Sequence, residues 1–180
     1  MKSFRLNRTT AVLCVAMGTA LTSSAPAYAA GNANSNLAVN ASVASNCTIS
    51  TAAVAFGAYD PIVTNATTAL TGNGSITIAC TKASVPTLQL DLGATPAGSV
   101  RQMASGAERL PYELYQPTTN VAGAPCASAT VWGTVGAAIL TTVAAPSKAA
   151  RTYNVCGSIP AGADVAVGAY ADTVIATVTF

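Results

Sequence analysis

Histidine is absent from this chain of 180 residues. Without an imidazole no Ser-His-Asp triad can be assembled, however plentiful serine is, and zinc loses one of its two commonest ligands. Charge is scarce too, since Asp, Glu, Lys and Arg together make 8 % of the residues. Those charges are scattered, with no basic run to track phosphates or an anionic lipid surface, so nucleic acid is not an expected partner. Helical periodicity is missing beyond the N-terminal segment, which argues against all-α and α/β classes.

What is present begins with an export signal. Lys2, Arg5 and Arg8 form a basic n-region, Ala11 to Leu21 is an apolar run, and Ala27-Tyr28-Ala29 is a small-x-small cleavage site. A membrane-spanning helix needs about 20 apolar residues and no such site, so no membrane insertion of the mature chain is expected. Cys14 sits inside the apolar run behind Leu13, where a lipoprotein would need a small residue. We therefore read 1–29 as a signal peptide, 30–46 as an N-terminal arm and 47–180 as the body. Beyond the signal, five basic residues face six acidic ones, a net of −1.

Four cysteines remain, Cys47, Cys80, Cys126 and Cys156. An even number in an exported chain reads as two disulfides, and three pairings are open. We expect the sequential pairing, Cys47 with Cys80 and Cys126 with Cys156. Each would close a loop of about 30 residues, worth on the order of 3–4 kcal/mol. No pair has metal-ligand spacing, and oxidised thiols cannot act as nucleophiles. No metal, cofactor or catalysis is expected.

The dominant pattern is period two. In Tyr170 to Phe180, Val174, Ala176, Val178 and Phe180 alternate with Thr173, Ile175, Thr177 and Thr179, which reads as a strand with one core face and one wet face. Leu37, Val39, Ala41 and Val43 alternate in the same way near the other end, separated from Cys47 by Ala44-Ser45-Asn46. Between them we expect strands at Cys47–Gly57, Ser75–Lys82, Leu88–Leu92, Leu110–Leu114 and Tyr153–Ile159. Thr71-Gly72-Asn73-Gly74 reads as a turn, Ala94–Gly106 as a loop, and Gln116–Thr130 as a loop pinned by Cys126. Six body strands plus the arm argue for an antiparallel sandwich.

Several stretches taken together resemble the spore coat U domain family, which includes subunits of Csu-type archaic chaperone–usher pili. They are Phe56-Gly57-Ala58-Tyr59-Asp60-Pro61, Gly74 to Cys80, Leu110-Pro111-Tyr112-Glu113-Leu114-Tyr115, Val131-Trp132-Gly133, Ile159-Pro160-Ala161-Gly162 and Gly168 to Thr173. The resemblance implies an all-β fold, an incomplete immunoglobulin-like antiparallel β-sandwich completed by a donor strand. It makes Leu37, Val39, Ala41 and Val43 the donor strand and Val174, Ala176, Val178 and Phe180 the wall of the acceptor groove. It also places the usual family bridge at Cys47 and Cys80, with Cys126 and Cys156 as an addition.

The same resemblance implies the partners: other copies or related pilus subunits, a periplasmic chaperone and an outer-membrane usher. The expected role is a structural pilus subunit, exported to the periplasm and carried to the cell surface, supporting attachment and biofilm formation. Two other readings stand beside it. One is a self-contained secreted coat or matrix protein whose arm docks on its own sheet. The other is a carbohydrate-binding tip module, with Tyr112, Tyr115 and Trp132 as a sugar platform, although buried packing is the commoner use of such rings. Glu108 and Glu113 have the look of a glycosidase pair only in that two carboxylates lie close together.

Overall fold

The structure, a computed structural model, describes residues 29–180. The signal read at 1–29 lies outside the described residues, save for Ala29. The chain divides into two units, Met1–Asn40 and Ala41–Phe180. In the first, residues 29–40 form neither helix nor strand and are exposed throughout. No helix among the described residues is long and apolar enough to cross a membrane.

The second unit holds eight strands among the described residues: β1 Cys47–Ala55, β2 Leu70–Cys80, β3 Thr87–Leu90, β4 Arg101–Ser105, β5 Glu108–Tyr115, β6 Leu140–Thr141, β7 Arg151–Ile159 and β8 Ala176–Thr179. They form a five-stranded sheet in the order β1-β2-β7-β5-β4 and a three-stranded sheet in the order β6-β3-β8. Every ladder is antiparallel. The expected antiparallel sandwich is therefore what the chain forms. Its core is the set of alternate positions that the period-two pattern marks: Ile76 and Ile78, Leu88 and Leu90, Leu110 and Leu114 are all buried. Trp132 and Tyr153 fill the centre, both fully buried.

Three local expectations change. Thr71-Gly72-Asn73-Gly74 is not a turn but part of β2. The glycines make room for the neighbouring strand: a Cβ on Gly72 or Gly74 would run into Ala52, Val54 or Ala55 of β1 or Phe56 just after it. Beside them β1 carries one extra residue between Ala52 and Ala55, a bulge that changes which side chains face inward. Ala94–Gly106 is not all loop, because Arg101–Ser105 pairs with β5 as β4. In the last stretch only Ala176–Thr179 forms a ladder, on β3. Upstream, Ala171 instead pairs with Ala104 of β4, so the segment passes from one sheet to the other.

Arg101 explains why β4 could hide in a polar stretch. Its guanidinium is fully buried and donates to the carbonyls of Asp91 (2.9 and 2.6 Å), Leu90 (3.2 Å) and Trp132 (2.8 Å). Glu113 supplies the counter-charge. A buried cation is tolerated only when its charge and every donor find partners. Cys47 bonds to Cys80 at directly opposed positions of β1 and β2, and Cys126 bonds to Cys156 on β7. The second bridge covers Cys156, which is buried although its neighbours Val155 and Gly157 take the inward positions.

Candidate functional site

β1 is an outer strand of the larger sheet and β8 an outer strand of the smaller. Each is paired along one edge, and among the described residues neither has a ladder along the other. An unpaired edge exposes a row of backbone donors and acceptors that can take an additional strand.

Between them runs an open cleft of about 600 Å³, whose walls are Val54 of β1, Phe56 just after it, and Tyr170, Val174 and Ala176 of the final segment. Its floor is the inner face of the larger sheet, including Ile76, Tyr112 and Val155. A neighbouring hollow of about 730 Å³ shares Val54, Phe56, Met103 and Tyr170 and continues the groove towards Tyr59 and Val165. Phe56 packs edge-on against Tyr112, ring centroids 6.2 Å apart. Val54, Phe56, Met103, Tyr170, Val174 and Ala176 are only partly buried although they pack on the core. Residues in a finished sandwich wall would be covered from both sides. These are covered from one.

Upstream of β8 the groove wall is held by two carboxylates. Asp91 accepts from the Ile175 and Gly93 amides, both at 2.9 Å. Asp172 accepts from the Thr173 amide at 2.8 Å, from Ala94 at 2.9 Å and from the Tyr112 hydroxyl at 2.6 Å. Gly93, in the left-handed region at φ 80°, lies so close to the Asp172 carboxylate that a Cβ there would overlap it. Burial, and after it the hydrogen bond and charge of Asp172, push the Tyr112 phenol well above its ordinary range.

The residues singled out in the sequence fall as follows. Val174 and Ala176 line the groove. Val178 is half-buried against the core, and Phe180 is 53 % exposed beyond the end of β8. Leu37, Val39 and Val43 are exposed at 88, 85 and 84 %, and Ala41 is exposed as well. Trp132 and Tyr112 are buried, with the Trp132 indole donating to the Leu88 carbonyl. Tyr115, the third ring of the expected platform, is half-buried, and the Glu113 carboxylate is taken up by Arg101. The β1 wall, Val54 and Phe56, was missed. Its signal was the pair of larger apolar residues at the end of an alanine-rich strand.

Residues 33–177 match the family described as the Spore Coat Protein U domain. Protein U of Myxococcus xanthus is 34 % identical over 185 residues, covering 95 % of this chain and 97 % of its own length. Among solved structures, the chain is similar to one in the CsuC–CsuE chaperone–tip adhesion subunit pre-assembly complex from the archaic chaperone–usher Csu pili of Acinetobacter baumannii. The TM-score is 0.50 at 21 % identity, over 77 % of this chain and 40 % of that one. The likeness is one of fold.

Proposed function

The chain belongs to the spore coat protein U domain family, and from that premise we propose that it is a structural subunit of a surface fibre whose copies are joined by donor-strand exchange. Leu37, Val39, Ala41 and Val43 of one copy enter the groove of the next, between β1 and the segment Val174 to Phe180. Before assembly a periplasmic chaperone occupies the same groove, and an outer-membrane usher directs the exchange. Support for the chaperone comes from the structural neighbour, which was crystallised with one. The finished fibre serves surface attachment and biofilm formation.

One observation carries this reading. Apolar side chains that line the groove on two facing strand edges are covered from one side only. The arm has the matching pattern, alternate apolar residues that are exposed. Burying each of Leu37, Val39 and Val43 would contribute about 1.5–3 kcal/mol, and the new ladder would add roughly 0.5–1.5 kcal/mol per hydrogen bond.

The family description, Spore Coat Protein U domain, supports a second reading, a self-contained coat protein. Unheated denaturing gels separate the two. Donor exchange produces a ladder of denaturant-resistant multimers that collapses on boiling, and deleting residues 31–43 leaves only subunits bound to chaperone. A single monomer band from the intact chain would mean that the arm does not join copies.

A further inference from the structure

The root of the arm is held to the body by one residue, through its hydroxyl and its amide. The Thr81 hydroxyl accepts from the Asn46 amide at 3.1 Å, and its single proton is shared between the carbonyls of Ala44 at 3.2 Å and Asn46 at 3.3 Å. The Thr81 amide adds a bond to the Asn46 carbonyl at 2.9 Å. Residues 44–46 form no strand and are exposed, so Thr81 supplies what order they have ahead of Cys47.

Thr81 is itself presented by a preset turn. The Ser84 hydroxyl and amide donate to the Thr81 carbonyl at 2.7 and 3.2 Å. Within the turn Ala83 holds φ at 71°, the only positive φ outside glycine among the described residues. A side chain with a Cβ adopts that conformation only where its surroundings over-determine it. Here they do, through reciprocal bonds in which Ala83 donates to Ala145 and Ala145 to Ser84, both at 2.8 Å.

We propose that Thr81 is a positioning residue for assembly, fixing the bearing at which the arm leaves the body at Ala44. This rests on the reading of the arm as a donor strand. With residues 44–46 free, a three-residue tether reaching about 10 Å would let successive copies swivel. With Ala44 and Asn46 held, the joint between copies shrinks to the bonds around Val43 and Ala44. Fibre stiffness is then set by a hydroxyl outside the groove.

The test compares Thr81→Val, which keeps the shape and loses the hydroxyl, with Thr81→Ser, which keeps the hydroxyl. In the purified full chain, hydrogen exchange at the Asn46 amide should quicken about fivefold or more in T81V, the factor expected for one lost hydrogen bond. T81S should match the wild type. T81V should still give the multimer ladder, while its fibres in electron micrographs lose about half their persistence length or more, an order-of-magnitude expectation for a freed tether. Unchanged exchange at Asn46, or fibres as stiff as wild type, would overturn the proposal. Absence of a ladder in the wild type itself would instead remove the donor-strand reading, and the Asn46 amide would still decide whether the clamp exists.

Discussion

The Tyr112 hydroxyl donates to the Asp172 carboxylate at 2.6 Å, and this bond ties β5 of the five-stranded sheet to the segment that leads into β8. Asp91 holds the same segment at the Ile175 amide. Two carboxylates therefore hold the segment ahead of β8, while among the described residues β8 has a ladder only with β3.

Alkaline pH should loosen this tie. The folded state keeps the Tyr112 phenol protonated well above its ordinary value, mainly through burial and then through Asp172. Its contribution to stability is fully present below the unfolded value near 10 and declines as pH rises above it. The difference in unfolding free energy between wild type and Tyr112→Phe should thus be flat up to about pH 9 and shrink beyond about pH 10, by at most about 1.4 kcal/mol per pH unit. A difference that stays constant through that range would mean the phenol ionises freely in the fold.

Arg101 should be among the costliest positions to change. Arg101→Ala strands the Glu113 charge and the carbonyls of Leu90, Asp91 and Trp132. The expected loss is about 3–5 kcal/mol in urea unfolding. Arg101→Lys should recover little of it, since an ammonium cannot reproduce the planar fork that reaches three carbonyls. Full stability in R101K would show that only the charge matters.

Gly157 keeps the groove open from below. A Cβ there would sit 2.5 Å from the Phe56 ring and 2.6 Å from Val54. Gly157→Ala should push both side chains into the cleft, costing about 1–3 kcal/mol in stability and weakening the multimer ladder. Pairing it with Phe56→Leu should restore part of both.

The core was legible because burial and period two coincide in β2, β3 and β5, so Ile76, Leu88 and Leu114 could be placed from spacing alone. The same spacing marked Val174 and Ala176. The opposite wall was not legible. Cys47 faces inward at an odd position, yet Val54 and Phe56 face inward at even ones, because the extra residue between Ala52 and Ala55 inverts the alternation. The room for that bulge comes from Gly72, Gly74 and Gly157, two of them first read as a turn and one on β7. Arg101 was hidden for a related reason. Carbonyls from two distant stretches, Leu90-Asp91 and Trp132, converge on it, and no local pattern announces such a meeting.

Val174 and Ile175 provide an internal control for the groove. They are neighbours in the chain, yet Val174 is half-buried in the cleft while Ile175 is 63 % exposed on the other face. An aspartate at Ile175 meets water, so Ile175→Asp should leave both chaperone binding and the multimer ladder near wild type. An aspartate at Val174 would be sealed beneath an entering strand, where an unpaired charge costs several kcal/mol. Val174→Asp should therefore abolish the ladder. A parallel measurement of chaperone-bound subunit separates two causes, since the groove predicts loss of both partners together, whereas a simple folding defect would also remove the soluble chain. If V174D assembled as well as I175D, the entering strand would have to dock somewhere other than between β1 and β8.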